Sequence, residues 1–159
     1  MREKKLVAFF SATGVTAGVA KRLADIIGAD LYEIKPYFPY SEEDLDWKDK
    51  RARSRLEMQV PEYRPAIGGA PANIEEYSTI FLGFPIWGRM PPTIINTFLE
   101  GYDFAGKTII PFATSGGRGV GKTYSRLIES CPTAKLLEVK LFASKETDKE
   151  LQVWVKRSS

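Results

Sequence analysis

Runs of residues apolar on both faces alternate along this chain with stripes at helical spacing, and that alternation restricts the fold more than any other feature. The first run, KKLVAFFS, is nearly continuous, as expected of a strand buried on both sides. After SATGVT the spacing changes to that of a helix: Val19, Leu23, Ile26 and Ile27 share one face, and Gly28 is placed to stop it. DLYEIKP reads as a second strand ended by Pro36, STIFLGFP and KTIIPFATS as a third and a fourth, and LLEVKLFA as a fifth. Helical stripes fall between and after them at Ile94, Ile95, Phe98 and Leu99, at Tyr124, Leu127 and Ile128, and at Leu151, Trp154 and Val155. Buried strands joined by crossover helices predict an α/β fold with a parallel sheet covered on both faces. No repeat or linker interrupts the pattern, so residues 1–159 are expected to form a single domain.

The least regular region is 36–72. Its charged stretch, SEEDLDWKDKRARSRLE, is acidic early and basic late, an order that complements a helix dipole. The expectation is a solvated helix rather than a nucleic-acid patch.

Composition removes several chemistries. The 159 residues include no histidine, which excludes Ser-His-Asp and Cys-His nucleophile systems and His-ligated zinc. The single cysteine, Cys131, cannot pair within the chain and reads as a small apolar residue, consistent with a reducing, cytoplasmic setting. The net charge of +3 is mild for a nucleic-acid binder. Ser11, Thr13, Gly14 and Thr16 break the first apolar run too early for a secretion signal, and no stretch is long and apolar enough to span a membrane.

Ligands of open parallel α/β sheets bind beyond the carboxyl ends of the strands. Three loops leaving those ends have distinctive composition. SATGVT offers the hydroxyls of Ser11, Thr13 and Thr16, with Gly14 for close backbone approach; it fits either an anion site or a plain N-capping turn. PIWGRMPP carries Trp87 between prolines, either as a flat face for an aromatic ligand or as a core residue capping the sheet. In TSGGRGVGK and the Thr123 that follows it, Gly116, Gly121, Lys122 and Thr123 spell the triphosphate pattern G-x-x-x-x-G-K-[ST]. Such a site needs a carboxylate at a strand end to hold Mg²⁺, whereas the ends here read FFS, IKP, GFP, FATS and LFAS. The dinucleotide pattern fails as well, because Lys122 stands where its third glycine belongs.

Taken in order, SATGVT, FLGFPIW and YDFAGKTIIPFATSGGRGVG resemble the phosphate loop and the two ring loops of the flavodoxin family, over essentially the whole chain. The resemblance implies a three-layer sandwich, a five-stranded sheet in the order 2-1-3-4-5, and one noncovalent FMN. It lacks the insertion that splits the last strand of long-chain flavodoxins. On this resemblance Ser11, Thr13, Gly14, Val15 and Thr16 would hold the phosphate. Pro85, Ile86, Trp87 and Gly88 would line one side of the ring, with Trp87 stacking, and Ser115, Gly116, Gly117 and Gly119 would meet its pyrimidine edge. Three departures stand out. Val15 replaces a common Asn, and the second ring loop has no aromatic residue, leaving Tyr40 or Tyr124 as substitutes. Arg89, Arg118 and Lys122 put positive charge where many flavodoxins are acidic.

The resemblance implies low-potential electron transfer, with the cofactor carrying the chemistry and the chain supplying no catalytic residue or metal. Gly88 is the candidate for a peptide that turns its carbonyl toward the reduced ring, since glycine tolerates positive φ. The basic rim should favour an anionic reduced ring and attract redox partner proteins with an acidic docking face. The alternative is an NAD(P)H-dependent FMN reductase acting on a quinone-like or other small acceptor, with Arg89 and Arg118 meeting the nicotinamide's phosphate. A phosphoacceptor signalling domain of the same topology would need acidic residues where Ser11, Ala12 and Pro85 stand.

Overall fold

In strand β1 (Lys5–Phe9), Leu6 and Ala8 belong to one core cluster and Val7 and Phe9 to another, all nearly inaccessible to solvent. A strand whose alternate residues are buried on opposite sides must lie inside a covered sheet. This computed structural model describes residues 4–115, 119–143 and 145–158. β1 pairs in parallel with β2 (Asp30–Glu33) and β3 (Thr79–Pro85), and β3 pairs with β4 (Thr108–Thr114). β4 carries the last edge as two pieces, β5 (Lys135–Leu136) and β6 (Lys140–Phe142), both parallel to it. The order β2-β1-β3-β4-β5/β6 is the predicted 2-1-3-4-5 arrangement.

Helices α1 (Val15–Ile27) and α5 (Asp148–Ser158) close one face through Val19, Leu23, Leu151 and Val155 against Val7, Phe81 and Phe112. α3 (Thr93–Glu100) and α4 (Thr123–Ile128) close the other through Ile94, Ile95, Phe98 and Leu127. Fully burying each such aliphatic or aromatic side chain contributes roughly 1.5–3 kcal/mol. Cys131 sits in the second of these layers, its thiol donating to the Leu127 carbonyl, and burial pushes its pKa up to about 11. No helix among the described residues is long and apolar enough to cross a membrane.

The fifth strand is broken, and Pro111 explains why. The Leu137 amide donates to the Ile109 carbonyl, and the Ser115 amide to the Phe142 carbonyl, so odd-numbered residues of β4 turn their polar groups toward this edge. Pro111 lies between them and has no N–H to donate. The pairing passes from Thr108↔Lys135 to Phe112↔Lys140, with one extra residue on the edge side. The result is a bulge opposite a proline.

Two further expectations need correction. Pro36 does not end the second strand: β2 stops at Glu33, and Lys35–Pro36 form a separate antiparallel ribbon with Ile67–Gly68. The charged stretch is not one solvated helix. It contains a 3₁₀ turn at Glu43–Leu45 and, eight residues later, the short α2 (Arg53–Met58), whose Ser54 and Glu57 are buried. Side chains divert the backbone between them: Ser41 and Asp44 bond each other's amides, Asp46 accepts the Lys48 amide and Asp49 the Arg51 amide. Such short-range bonds compete with a helical ladder.

Candidate functional site

Ser11 follows β1, and its Oγ accepts the amides of Gly14 and Ala17, both at 3.1 Å. A hydroxyl has two acceptor lone pairs. With both engaged, what Ser11 offers outward is its O–H, as a donor. Gly14 is left-handed, at φ 96°, and leads into α1, whose first-turn amides at Val15 and Thr16 have no partner among the described residues. Among the described residues, no atom beyond Gly14 and its chain neighbours lies within 4 Å of the place a Gly14 side chain would take. The capping bonds leave the loop a cluster of donors facing open space, a geometry that suits an anion. Thr13 is exposed beside it, as is Val15, which adds no polar group. Thr16 departs from expectation, because its hydroxyl is buried and shares a 2.7 Å hydrogen bond with Thr114 Oγ1 at the end of β4.

Beyond β3, Trp87 and Met90 bond each other's backbones in both directions, at 2.9 and 3.1 Å. Gly88 and Arg89 between them both have positive φ, 57° and 64°. This is a type I′ turn, for which Gly is well suited at the first place and Arg is poorly suited at the second. The Trp87 indole is not the open face expected of it. Only 5% of the residue is exposed, and the rings of Phe10, Tyr40 and Trp47 meet it edge to face at 5.7, 5.4 and 6.2 Å. Packing beneath the turn satisfies the largest apolar side chain of the loop.

The third loop is stapled to the second. Pro85 and Ile86 are half-buried, and the Ile86 amide donates to the Thr114 carbonyl. The Lys122 amide donates to the Arg89 carbonyl at 3.1 Å. A Cβ on Gly121 would lie 2.5 Å from both the Cβ and the carbonyl oxygen of Arg89. Thr123 is fully buried and its hydroxyl donates to the Val120 carbonyl. The triphosphate-like letters thus have local causes: Gly121 admits Arg89, and Thr123 closes the turn into α4. Ser115 is half-buried at the end of β4 and Gly119 is exposed, while Gly116, Gly117 and Arg118 lie outside the described residues.

All three loops therefore meet at one rim, joined by Thr16 to Thr114, Phe10 to Trp87 and Arg89 to Lys122. Residues 4–158 match the sequence profile of the flavodoxin family. The chain belongs to that family. It is similar to two crystal structures of candidate flavoproteins: one from Bacteroides eggerthii, at 44% identity and TM-score 0.92 over 99% of this chain and 98% of that one, and one from Bacteroides uniformis, at 42% and 0.91 over 98% and 99%. A Lactobacillus acidophilus flavoprotein solved in complex with FMN shares the fold, with TM-score 0.73 and 24% identity over 97% of this chain and 99% of its own. No curated protein matches the sequence.

One wall of this flavodoxin's rim comes from a region the family's loops do not include. Tyr40 packs on Phe10 and Trp87 and donates its hydroxyl to Glu57 at 2.5 Å. Arg53 pairs with the same carboxylate at 2.9 Å, lies 3.8 Å above the Tyr40 ring and bonds the Phe38 carbonyl. Burial, followed by the hydrogen bond and charge of Glu57, raises the Tyr40 pKa, so the phenol stays protonated. Tyr124, the other aromatic considered, is exposed on α4 and reaches the Leu136 carbonyl instead. Sequence reasoning passed over Trp47, Arg53 and Glu57. The available signal was a tryptophan amid charged residues, together with an Arg–Glu pair at i, i+4.

Proposed function

We propose that this protein binds one FMN at the three-loop rim and serves as a low-potential electron-transfer protein. The observation that carries the reading is Ser11, fixed by two amides as a hydrogen-bond donor beside the Val15 and Thr16 amides of α1, which have no partner among the described residues. These groups suit a phosphate monoester dianion without any cationic side chain. Ser11, Thr13, Gly14, Val15 and Thr16 would hold that group, Val15 and Thr16 through their amides. Pro85, Ile86, Gly88, Ser115 and Gly119, with Gly116 and Gly117, would surround the ring, and Trp87 would support the turn from below. Bound there, FMN would supply one- and two-electron chemistry.

The chain's own contribution is to orient the ring and to set the field around it. Reversing the peptide between Gly88 and Arg89 would convert the type I′ turn to type II′. Gly88 would stay left-handed and Arg89 would return to negative φ, so a change in the hydrogen bonding offered by this turn is inexpensive. Exposed Arg89 and Lys122 favour partner proteins with an acidic docking face.

Purified protein should be yellow and should quench the fluorescence of added FMN. Ser11→Ala should weaken FMN roughly 10- to 100-fold, as expected for a hydrogen bond to a charged group, while leaving the affinity for riboflavin, which has no phosphate, nearly unchanged. Equal losses for both ligands would reject the phosphate assignment.

Arg89 also supports a second reading, an NAD(P)H-dependent reductase of a quinone-like or other small acceptor, since an exposed cation beside the ring turn would meet a nucleotide phosphate. Rapid oxidation of NADPH by the FMN-loaded protein would select it. A cytoplasmic location accords with either reading.

A further inference from the structure

Trp47 is held in an unusual place. The residue is 38% exposed, within a stretch whose neighbours are Asp46, Lys48, Asp49 and Lys50. Most of the indole is covered, in part by Trp87 edge to face at 6.2 Å, while more than a third of the residue stays in water among charged neighbours. Nothing about the placement is loose. Arg55 donates to the Trp47 carbonyl at 3.0 Å, and the flanking turn is fixed by the Asp49 amide on the Asp46 carbonyl and the Lys48 amide on the Asp46 carboxylate. The segment as a whole is latched to the core by the Tyr40–Glu57–Arg53 network, in which the Glu57 carboxylate is buried. This construction puts the six-membered ring of the indole beside the type I′ turn, with Cη2 and Cζ3 3.9 and 4.0 Å from where a Gly88 side chain would begin. Trp87, buried beneath the same turn, has no comparable exposed surface.

We infer that Trp47 supplies the aromatic wall of the ring pocket, and that the charged segment 41–58 exists to present it. This rests on the FMN reading above. Its ligand is a flat, electron-poor heteroaromatic ring, and its contribution is stacking contact, which needs a π-face and not merely apolar volume. A side chain at Gly88 would begin in van der Waals contact with the indole, so no ring fits between indole and turn, and the ligand ring would lie on the exposed part of the indole beside the turn. Glu57 acts at one remove as a positioning residue, holding the segment that holds Trp47.

The test compares wild type with Trp47→Leu and Trp47→Phe, titrating each with FMN and following flavin fluorescence, with urea midpoints as the check on folding. Expected are a roughly 5- to 50-fold weaker affinity for Trp47→Leu, a brighter residual emission from its bound flavin, and substantial recovery of both in Trp47→Phe. Trp47 also packs edge to face on Trp87, so the Leu variant should lose some stability, and the titrations are compared under conditions where the urea curves show each protein fully folded. Wild type that binds FMN while Trp47→Leu binds and quenches equally well would overturn the inference alone. A Phe variant as impaired as the Leu variant in both readouts would also overturn it, since the π-face would then be irrelevant. Wild type that fails to bind FMN would overturn the reading on which it rests and the inference with it.

Discussion

The carbonyl of Arg89 accepts the amide of Lys122 at 3.1 Å, and Gly121 sits close enough to Arg89 that a single methyl group would collide with it. The turn after β3 and the start of α4 are thus one mechanical unit, although more than thirty residues separate them in sequence. Arg89 is held in a left-handed conformation that an arginine rarely adopts, and the contact with the 119–122 stretch supports it there.

Gly121→Ala tests that unit. The new Cβ would meet two Arg89 atoms at 2.5 Å, and alanine would be strained at φ 51°. Strain and overpacking each cost about 1–3 kcal/mol. The variant should lose at least about 1 kcal/mol in urea denaturation and bind FMN more weakly. An unchanged urea midpoint would show that the two loops are not coupled as described.

The bond between Thr16 and Thr114 gives a different signature. Both hydroxyls are buried and each is the other's partner at 2.7 Å. Thr16→Val leaves the Thr114 hydroxyl without its partner, at a cost of roughly 1–3 kcal/mol, and Thr114→Val does the same to Thr16. The double variant Thr16→Val/Thr114→Val removes both polar groups and should be markedly less destabilised than the sum of the singles. Thermal or urea unfolding of the four proteins measures the coupling; simple additivity would mean the hydroxyls do not depend on each other.

Acid should release a third contact. The Arg64 guanidinium bonds both oxygens of Glu100, at 2.8 and 3.1 Å, and holds its carboxyl below the usual range; the Ser130 hydroxyl helps, against the opposing effect of partial burial. A carboxyl whose folded pKa is lowered contributes stability that is present above its unfolded pKa, about 4.3, and is lost as pH falls through the folded value. The pair is substantially exposed, so its contribution is only about 0–1 kcal/mol. Glu100→Gln should therefore be slightly less stable than wild type at pH 7, with the gap closing below about pH 4. A gap that widens on acidification would contradict the assignment.

How far these features could be read in advance depended on the range of the forces behind them. The strands and the α1 stripe ending at Gly28 follow from hydrophobic periodicity, which is written locally, whereas the sheet order came from the resemblance to the flavodoxin family. The split fifth strand was legible only in principle, because Pro111 acts on a neighbour brought alongside by folding. In SATGVT the hydroxyls were recognisable, but not that Ser11 would spend its lone pairs on amides or that Thr16 would turn inward to Thr114. Trp47 escaped notice for a related reason. Its charged neighbours make a tryptophan conspicuous there, but the turn that it meets lies some forty residues away, so nothing local showed what it packs against.

Arg89 decides the electrostatic character of the rim. Its backbone is fixed on both sides, by the turn with Trp87 and Met90 and by the bond to Lys122, so its charge is anchored beside the proposed ring site. A fixed positive charge stabilises an added negative one, and the effect is attenuated by solvent and salt because the side chain is exposed. Replacing Arg89 with Glu reverses the sign at this point. The midpoint of the last one-electron reduction of bound FMN should become roughly 30–60 mV more negative, a tenfold change in the equilibrium being about 59 mV for one electron. The difference should shrink as ionic strength rises. Electron transfer to an acidic partner should slow in the variant at low salt and converge with wild type at high salt. Midpoints that coincide at low ionic strength would show that the rim charge does not reach the ring.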